Sequence, residues 1–460
     1  MTEFPVKFRM KPHQKKRRVW GVEWREREED NESDKRPSKL QTIPLHLKKM
    51  TEFPVKFRME PHQKKPKPRC RVEEEKESDK GPSKPEPIPL DVVEVEILTR
   101  LPVKSVMRSR CVSKKWSSII RSQGFIDSYY AMSSATRSRF VVVFSNGVFV
   151  KGHAKRLFIF SGEESSSSSS LVAANLDMTI PSLTTTYRSK CPSVHGFVAC
   201  CYINRLTICN PGTGQVVTLP SKGDRTSLGY DPVNQQFKAL TLLTTRDGGF
   251  DRFTQHEVIT LGGRGGESSR SMVTSRPYLP ITKGLCLNGF VYYGAWETRK
   301  RTKTVIVCFD VRNEEFSFVT TPLDVLKRQC ESELIEYKGK LAAVVTHDHP
   351  TIFGGFDLWI LEDVKEHEWS RQTFKLPYDL SNVTCPGTNK AGEIVFATKR
   401  LSLSPPQPSY FYYYNLQTKD MRRVRIQWVA DDQGFRRRFK FTGDCNVSVS
   451  LQHVDSIASL

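Results

Sequence analysis

Two histidines stand two residues apart in "THDHP" (Thr346 to Pro350), His347 and His349. On extended backbone that spacing points both rings to one side, as paired metal ligands require. No third ligand is evident from the sequence, so the segment reads as a polar loop and no metal site is expected. "GGRGG" (Gly262 to Gly266) has the glycines of a phosphate-binding loop but no following Lys-Ser/Thr and no strand–turn–helix context. It reads as a flexible turn. Cys200 and Cys201 lie in a continuous apolar strand, which places them in the core and not at a nucleophile's post. "YFYYY" (Tyr410 to Tyr414) has rings that could stack on sugars or bases, yet strand alternation turns part of the set into a core. The cations Arg299, Lys300, Arg301, Lys399 and Arg400 remain, in two short stretches whose chemistry is the recognition of carboxylates or phosphates. No cofactor is expected.

The elements that must position these residues are strands. Beyond Phe140 the chain alternates between apolar and polar residues, with Gly, Asn, Asp and Pro turns, as in "HGFVACCYINRLTICNPGTGQVVTLP" (His195 to Pro220). One sentence recurs at Leu287–Pro322, Tyr337–Pro377 and Asn389–Ile426. Each copy has a glycine turn, a strand, a variable loop, a second strand ending in Asp or Asn, a tight turn and a third strand. A recurrence of about 50 residues fits the blades of a β-propeller. Phe140–Phe160 and Tyr230–Val273 read as degenerate copies, and the serine run Ser165–Ser170 as a loop tip. The variable loops 295–303, 346–356 and 398–409 occupy equivalent places, so blades set radially gather them on one face. That face would present Arg299, Lys300, Arg301, His347, His349, Lys399 and Arg400, a basic surface suited to an acidic or phosphorylated protein. The plainer reading is that these loops merely tolerate change.

Ahead of the strands, "IPLDVVEVEILTRLPVKSVMRSRCVSKKWSSII" (Ile88 to Ile120) is apolar at helical spacing. Val93, Ile97, Leu98 and Leu101 form one face, and Pro102 ends that helix and opens the next. Val103, Val106, Met107 and Cys111 share a face of the second helix. Ser113 is placed to cap a third, bearing Trp116, Ile119 and Ile120. Three helices in about 40 residues are too small for an independent core. The expectation is a plug whose core another protein completes.

The first 87 residues contain a direct repeat, "MTEFPVKFRMKPHQKK" from Met1 and "MTEFPVKFRMEPHQKK" from Met50, rich in Pro, Lys and Glu. Such composition cannot offset the entropy of ordering, so a disordered leader is expected. It reads as a partial tandem duplication, or as a start codon upstream of Met50; a peptide map recovering residues 2–49 decides between these. The net charge of +21 is spread along the chain, with +8 in residues 1–87 and +13 in the rest. A nucleic-acid binder would concentrate it in a stripe with interleaved aromatics. The basic run Lys11–Arg18 reads as a solvated tail or a nuclear address. There is no signal-peptide core and no apolar run of spanning length, so an intracellular protein of the nucleus or cytoplasm, with no membrane partner, is expected. The 11 cysteines form no C-x-x-C pair and read as free thiols.

The residues "IPLD", "EILTRLPVKS" and "RCVSKKW", followed by "NPGTGQVVTLP", "LGYDPVNQQFKAL" and "GLCLNGFVYYGAW", resemble the plant F-box proteins with a C-terminal F-box-associated domain. The resemblance spans roughly residues 88–455 and implies two parts after the disordered leader 1–87: a three-helix F-box 88–130 and an all-β, kelch-like propeller 137–455. It implies a substrate receptor of an SCF (Skp–cullin–F-box) ubiquitin ligase, itself non-catalytic. The F-box would dock on a Skp-type adaptor and through it a cullin-RING ligase, with the β domain recruiting the protein to be ubiquitinated. Pro89, Leu90, Ile97, Leu98, Leu101, Pro102, Val103, Val106, Cys111, Val112 and Trp116 match the motif that meets the adaptor. The chain departs from the pattern twice. "DVVEVEIL" carries one extra residue, which in a regular helix rotates the preceding side chains by about 100°, and Ser109 stands where an aromatic is usual. A propeller enzyme or sugar binder and a basic nucleic-acid-binding protein are the rival readings. Metal analysis tests the first, and salt-dependent retention on nucleic acid the second.

Overall fold

The β region folds as a propeller-like ring of four-stranded antiparallel units. Each unit has an inner strand, two middle strands and an outer strand. The computed structural model describes Pro89 and residues 92–460, apart from 148–149, 152–153, 165–168, 186–189, 203, 224, 248–249, 263–268, 298–302, 327–331, 348–351, 402–406 and 444. The leader, Leu90, Arg299, Lys300, Arg301 and His349 therefore lie outside the described residues.

In chain order, the second blade is Ser193–Val194, Phe197–Cys201, Arg205–Cys209 and Val216–Pro220. The third is Thr226–Asp231, Gln236–Asp247, Phe250–Leu261 and Ser269–Pro280. The fourth is Leu285–Leu287, Phe290–Trp296, Thr304–Asp310 and Glu315–Thr320, and it joins the third where Leu279 and Pro280 pair with Trp296 and Ala295. The fifth is Ser332–Tyr337, Lys340–Thr346, Ile352–Asp363 and Glu368–Ser381. The sixth is Val383–Thr388, Ile394–Thr398, Tyr410–Tyr414 and Met421–Gln427. The first blade holds the ring's closure. Arg139–Ser145, Arg156–Glu163 and Asn175–Pro181 come from the start of the β region, but the inner strand is the C-terminal Cys445–His453, antiparallel to Arg139–Ser145.

Middle strands are buried on both sides, as Val305–Phe309 and Leu341–Val345 show, because each blade is covered by its neighbours. The outer strand Val216–Pro220 alternates instead. That contrast explains why the sequence showed continuous apolar runs beside alternating ones. The recurring Asp or Asn has a physical role as well. Asn210, Asp310, Asp363 and Asn415 each accept two backbone N–H groups of the following turn through Oδ1, at 2.6–3.1 Å for the last three. The turn then leaves in a left-handed residue four places on, Gly214, Glu314, His367 and Lys419.

The helical region departs from three regular helices. Val92–Ile97 winds as a six-residue π turn and Leu98–Arg100 as a 3₁₀ turn. A π turn closes i→i+5 hydrogen bonds and so takes one more residue per turn. The extra residue of "DVVEVEIL" falls in this wider turn. The helices α1 (Val103–Ser109) and α2 (Lys114–Arg121) follow, and Ser113 caps α2 by accepting from the Trp116 N–H at 3.1 Å. A further helix, α3 (Gln123–Thr136), was not read from the sequence; Ser122 caps it from the Phe125 N–H at 3.3 Å. All described residues belong to one compact unit.

Candidate docking faces

Antiparallel order gives the ring two distinct ends. Turns between the first and second strands, and between the third and fourth, share one end, here called the near face. Loops between the second and third strands share the other, the far face, with the connections from blade to blade. The helices sit on the near face. Tyr130 of α3 stacks on His195, in the first turn of the second blade, with ring centroids 3.7 Å apart, and His195 stacks on Tyr230 at 3.8 Å. The Gln235 amide donates to Asp127 at 3.2 Å, and Lys390 of the sixth blade's first turn donates to the carbonyl of Ser134. Val103 packs over the Asn210 turn of the second blade, in contact with Gly212.

The motif residues divide by exposure. Leu98, Val103 and Val106 are interior, at 0 %, 5 % and 0 % exposure, in a core with Val93, Ile120, Phe125 and Tyr129. The core's last member is Ile457, from the C-terminus. This corrects the expectation that the unit's core waits for a partner, since the chain closes it. Leu101 and Trp116 are partly buried against the same core. Pro89, Ile97, Pro102, Cys111 and Val112 remain exposed, Val112 at 64 %. Val92 and Val95, which the motif did not single out, are exposed too. Thus four of the thirteen large exposed hydrophobics among the described residues fall between Val92 and Val112.

On the far face, the second strands of the fourth, fifth and sixth blades end at Trp296, Thr346 and Thr398, and residues 298–302, 348–351 and 402–406 of the loops that follow lie outside the described residues. Lys399 and Arg400 diverge. Lys399 lines the central cavity, while Arg400 is exposed at the start of Arg400–Leu401, a short strand paired with Cys445 and Asn446. His347 is committed to the fold, with Nε2 3.0 Å from Asp357 Oδ1. Burial works against that carboxylate, but hydrogen bonds from Thr373, Arg371 and His347 outweigh it and hold its pKa low. Sequence reasoning missed the strongest basic element here, "QGFRRRFK" (Gln433 to Lys440), whose Gln433–Arg438 helix connects the sixth blade to the closing strand. Arg437, Arg438 and Lys440 are exposed, and the Arg438 and Arg156 guanidinium groups lie 5.5 Å and 5.9 Å from the Phe439 ring. Four cationic residues in eight was the available signal.

Inner strands surround a cavity of about 780 Å³ whose charged lining is Lys190, Arg225, Lys283, Lys399, Glu333 and Glu336. Both carboxylates have protein partners. Glu333 pairs with Lys190 and accepts from Thr384, and Glu336 accepts from the Gly339 N–H and Gln452. Cys200 is buried, and its hydrogen bond with Cys191 together with burial pushes the thiol's pKa up, opposite to a nucleophile's need. Phe411 and Tyr413 are core, whereas Tyr410 and Tyr412 are only partly covered. No group of three His, Cys, Asp or Glu able to hold a metal occurs among the described residues, and no helix there is long and apolar enough to cross a membrane.

The family model described as "F-box associated beta propeller domain" matches residues 139–454, and the "F-box domain" model matches residues 91–128. The chain is 48% identical over 387 residues to the F-box protein At1g30790 of Arabidopsis thaliana, an alignment covering 80% of this chain and 96% of that one. It is 37% identical over 392 residues to the Arabidopsis thaliana F-box protein DOR, covering 79% and 92% respectively.

Proposed function

Because this chain belongs to the F-box proteins with an associated β-propeller, we propose that it is a non-catalytic substrate receptor of an SCF-type ubiquitin ligase, acting in the nucleus, the cytoplasm or both. The helices dock on a Skp-type adaptor and, through it, a cullin-RING ligase. The far face of the propeller recruits the protein to be ubiquitinated. The observation that carries this reading is the exposed apolar set Val92, Val95 and Ile97 on the π turn and Val112 in the turn after α1, in a helical unit fastened to the near face. Apolar side chains held in water on a rigid support gain when a partner covers them, by about 1–3 kcal/mol for each well-buried one. The far-face cations Arg400, Arg437, Arg438 and Lys440 favour an acidic or phosphorylated partner.

Leu98 is interior, so replacing it confuses docking with folding. The surface triple change Val95→Ser, Ile97→Ser and Val112→Ser separates them. It is expected to leave the melting temperature within about 2 °C and to weaken binding of a recombinant Skp-type adaptor at least tenfold. No adaptor binding by the folded wild-type chain, or unchanged binding by the triple variant, overturns the reading. For the far face, Arg400→Glu, Arg437→Glu and Arg438→Glu together should remove captured partners that matched changes at the near-face turns leave in place.

A further inference from the structure

The closing strand has a consequence for the helices. Cys445–His453 runs antiparallel to Arg139–Ser145, with Arg139 opposite His453. The chain therefore leaves the ring where α3 enters it, and residues 454–460 emerge on the near face beneath the helices.

Those seven residues are fastened along their length. The Asp455 carboxylate, 4 % exposed, lies 2.6 Å from Arg139 Nη1 and 3.5 Å from Arg137 Nη1. Arg137 in turn donates to the carbonyls of Arg100 and Leu101 at 2.8 and 3.1 Å, which ties the tail to the end of the 3₁₀ turn. Asn210 of the second blade donates to the carbonyls of Ser456 and Ala458 at 2.9 and 3.2 Å. Gln215 accepts from the Leu460 N–H at 3.2 Å. Between these ties Ile457 turns into the helical core, 7 % exposed, against the group containing Leu98, Val103 and Val106. On its other side Ala458 and Leu460 pack on the core of the second and third blades. One short segment thus contributes to two cores.

We propose that residues 454–460 are a working part of the adaptor-docking element, with Ile457 the positioning residue that holds the helices in their binding arrangement. The inference rests on the docking role proposed above. A helical unit this small has little core to spare, and removing a buried aliphatic side chain releases it into conformers that a partner must reorder before binding. The docking element is therefore composite, built from residues 92–136 and a segment more than 300 residues downstream. Only a chain that has completed its ring presents it in full.

The test uses the full chain as wild type, Ile457→Ala, Ile457→Leu and a chain ending at His453, each measured for affinity to a recombinant Skp-type adaptor and for amide hydrogen exchange. Ile457→Ala and the shortened chain should bind about tenfold more weakly or worse and exchange faster in residues 92–136, while blade strands keep their protection. Ile457→Leu should restore both. Folded variants that bind as well as wild type overturn the proposal, and tighter binding overturns it in favour of a tail that blocks the site. If wild type binds no adaptor, the docking role fails. Exchange then decides the remaining claim, since equal protection of the helices with and without Ile457 would show that the tail does not position them.

Discussion

The blades and the helices solve the same burial problem with different reserves. In the first blade Val141–Phe144 are wholly buried, and Phe144 alone has Phe158, Phe160, Trp428 and Phe441 around it at 5.4–6.2 Å. Every blade is covered on both sides by others of its kind. The helices hold one small core, fed by five helical pieces and completed by Ile457. Redundancy of burial makes the propeller the scaffold, and its lack makes the helices dependent on where the scaffold places them.

The largest effect should come from testing that asymmetry directly. Phe144→Ala removes a fully buried aromatic from the closure blade and should cost about 3–5 kcal/mol, lowering the propeller's melting transition. Leu98→Ala removes a side chain of equal burial from the helices, at about 2–5 kcal/mol. Its damage should stay local, with faster exchange in residues 92–136 and an unaltered propeller transition. If Leu98→Ala lowers the propeller transition as much as Phe144→Ala, the two regions melt as one cooperative body and the contrast fails.

Much of this division could be read from the sequence. The Asp and Asn that close each repeat, Asp310, Asp363 and Asn415, cap their turns through local hydrogen bonds, so a local pattern announced them. Ser113 was legible for the same reason. What stayed hidden depends on contacts distant in the chain. No spacing rule connects Ile457 to Leu98, and α3 has apolar residues, Phe125 and Tyr129, that look like any short amphipathic stretch until Leu101 supplies a carbonyl to the Tyr129 hydroxyl at 3.1 Å. The exposed and interior members of the adaptor motif likewise share one periodicity, and only the packing of the helical pieces with Ile457 separates Ile97 from Leu98.

Acid should act on the two regions differently. His195 lies between helices and propeller, whereas His256 and His453 lie within the propeller; burial lowers the pKa of each to about 4. His256 and His453 have neutral hydrogen-bond partners, with Nε2 of His256 2.6 Å from the Tyr278 hydroxyl and Nδ1 of His453 2.7 Å from Ser193 Oγ. The unfolded chain takes up protons near pH 6.5, whereas the folded chain resists until about pH 4. Stability is then full above pH 6.5 and falls as pH drops from 6.5 to 4, by at most a few kcal/mol for each histidine. His195→Asn, which suits the left-handed backbone at φ 47°, should remove the share felt by α3 and leave the propeller's acid response. A melting temperature that is flat from pH 7 to pH 5 would contradict this account.

The smallest effects concern the seam itself, where two contacts of α1 differ in kind. A Cβ on Gly212 would lie 2.7 and 2.9 Å from the methyl groups of Val103, and Val103 is buried at the start of α1. Gly212→Ala must therefore push helix and turn apart, at about 1–3 kcal/mol. Lys104, the next residue, reaches Asp177 of the first blade at 3.1 Å with its own side chain 54 % exposed. Lys104→Ala loses a screened ion pair and should change stability by less than about 1 kcal/mol. Exchange at α1 should respond to the glycine change and less to the lysine change, because packing at the seam is short-ranged and dry while the lysine end of the ion pair, though not the largely buried Asp177, is in water. If the order is reversed, charge and not packing fastens the helices to the ring, and high salt should then release them.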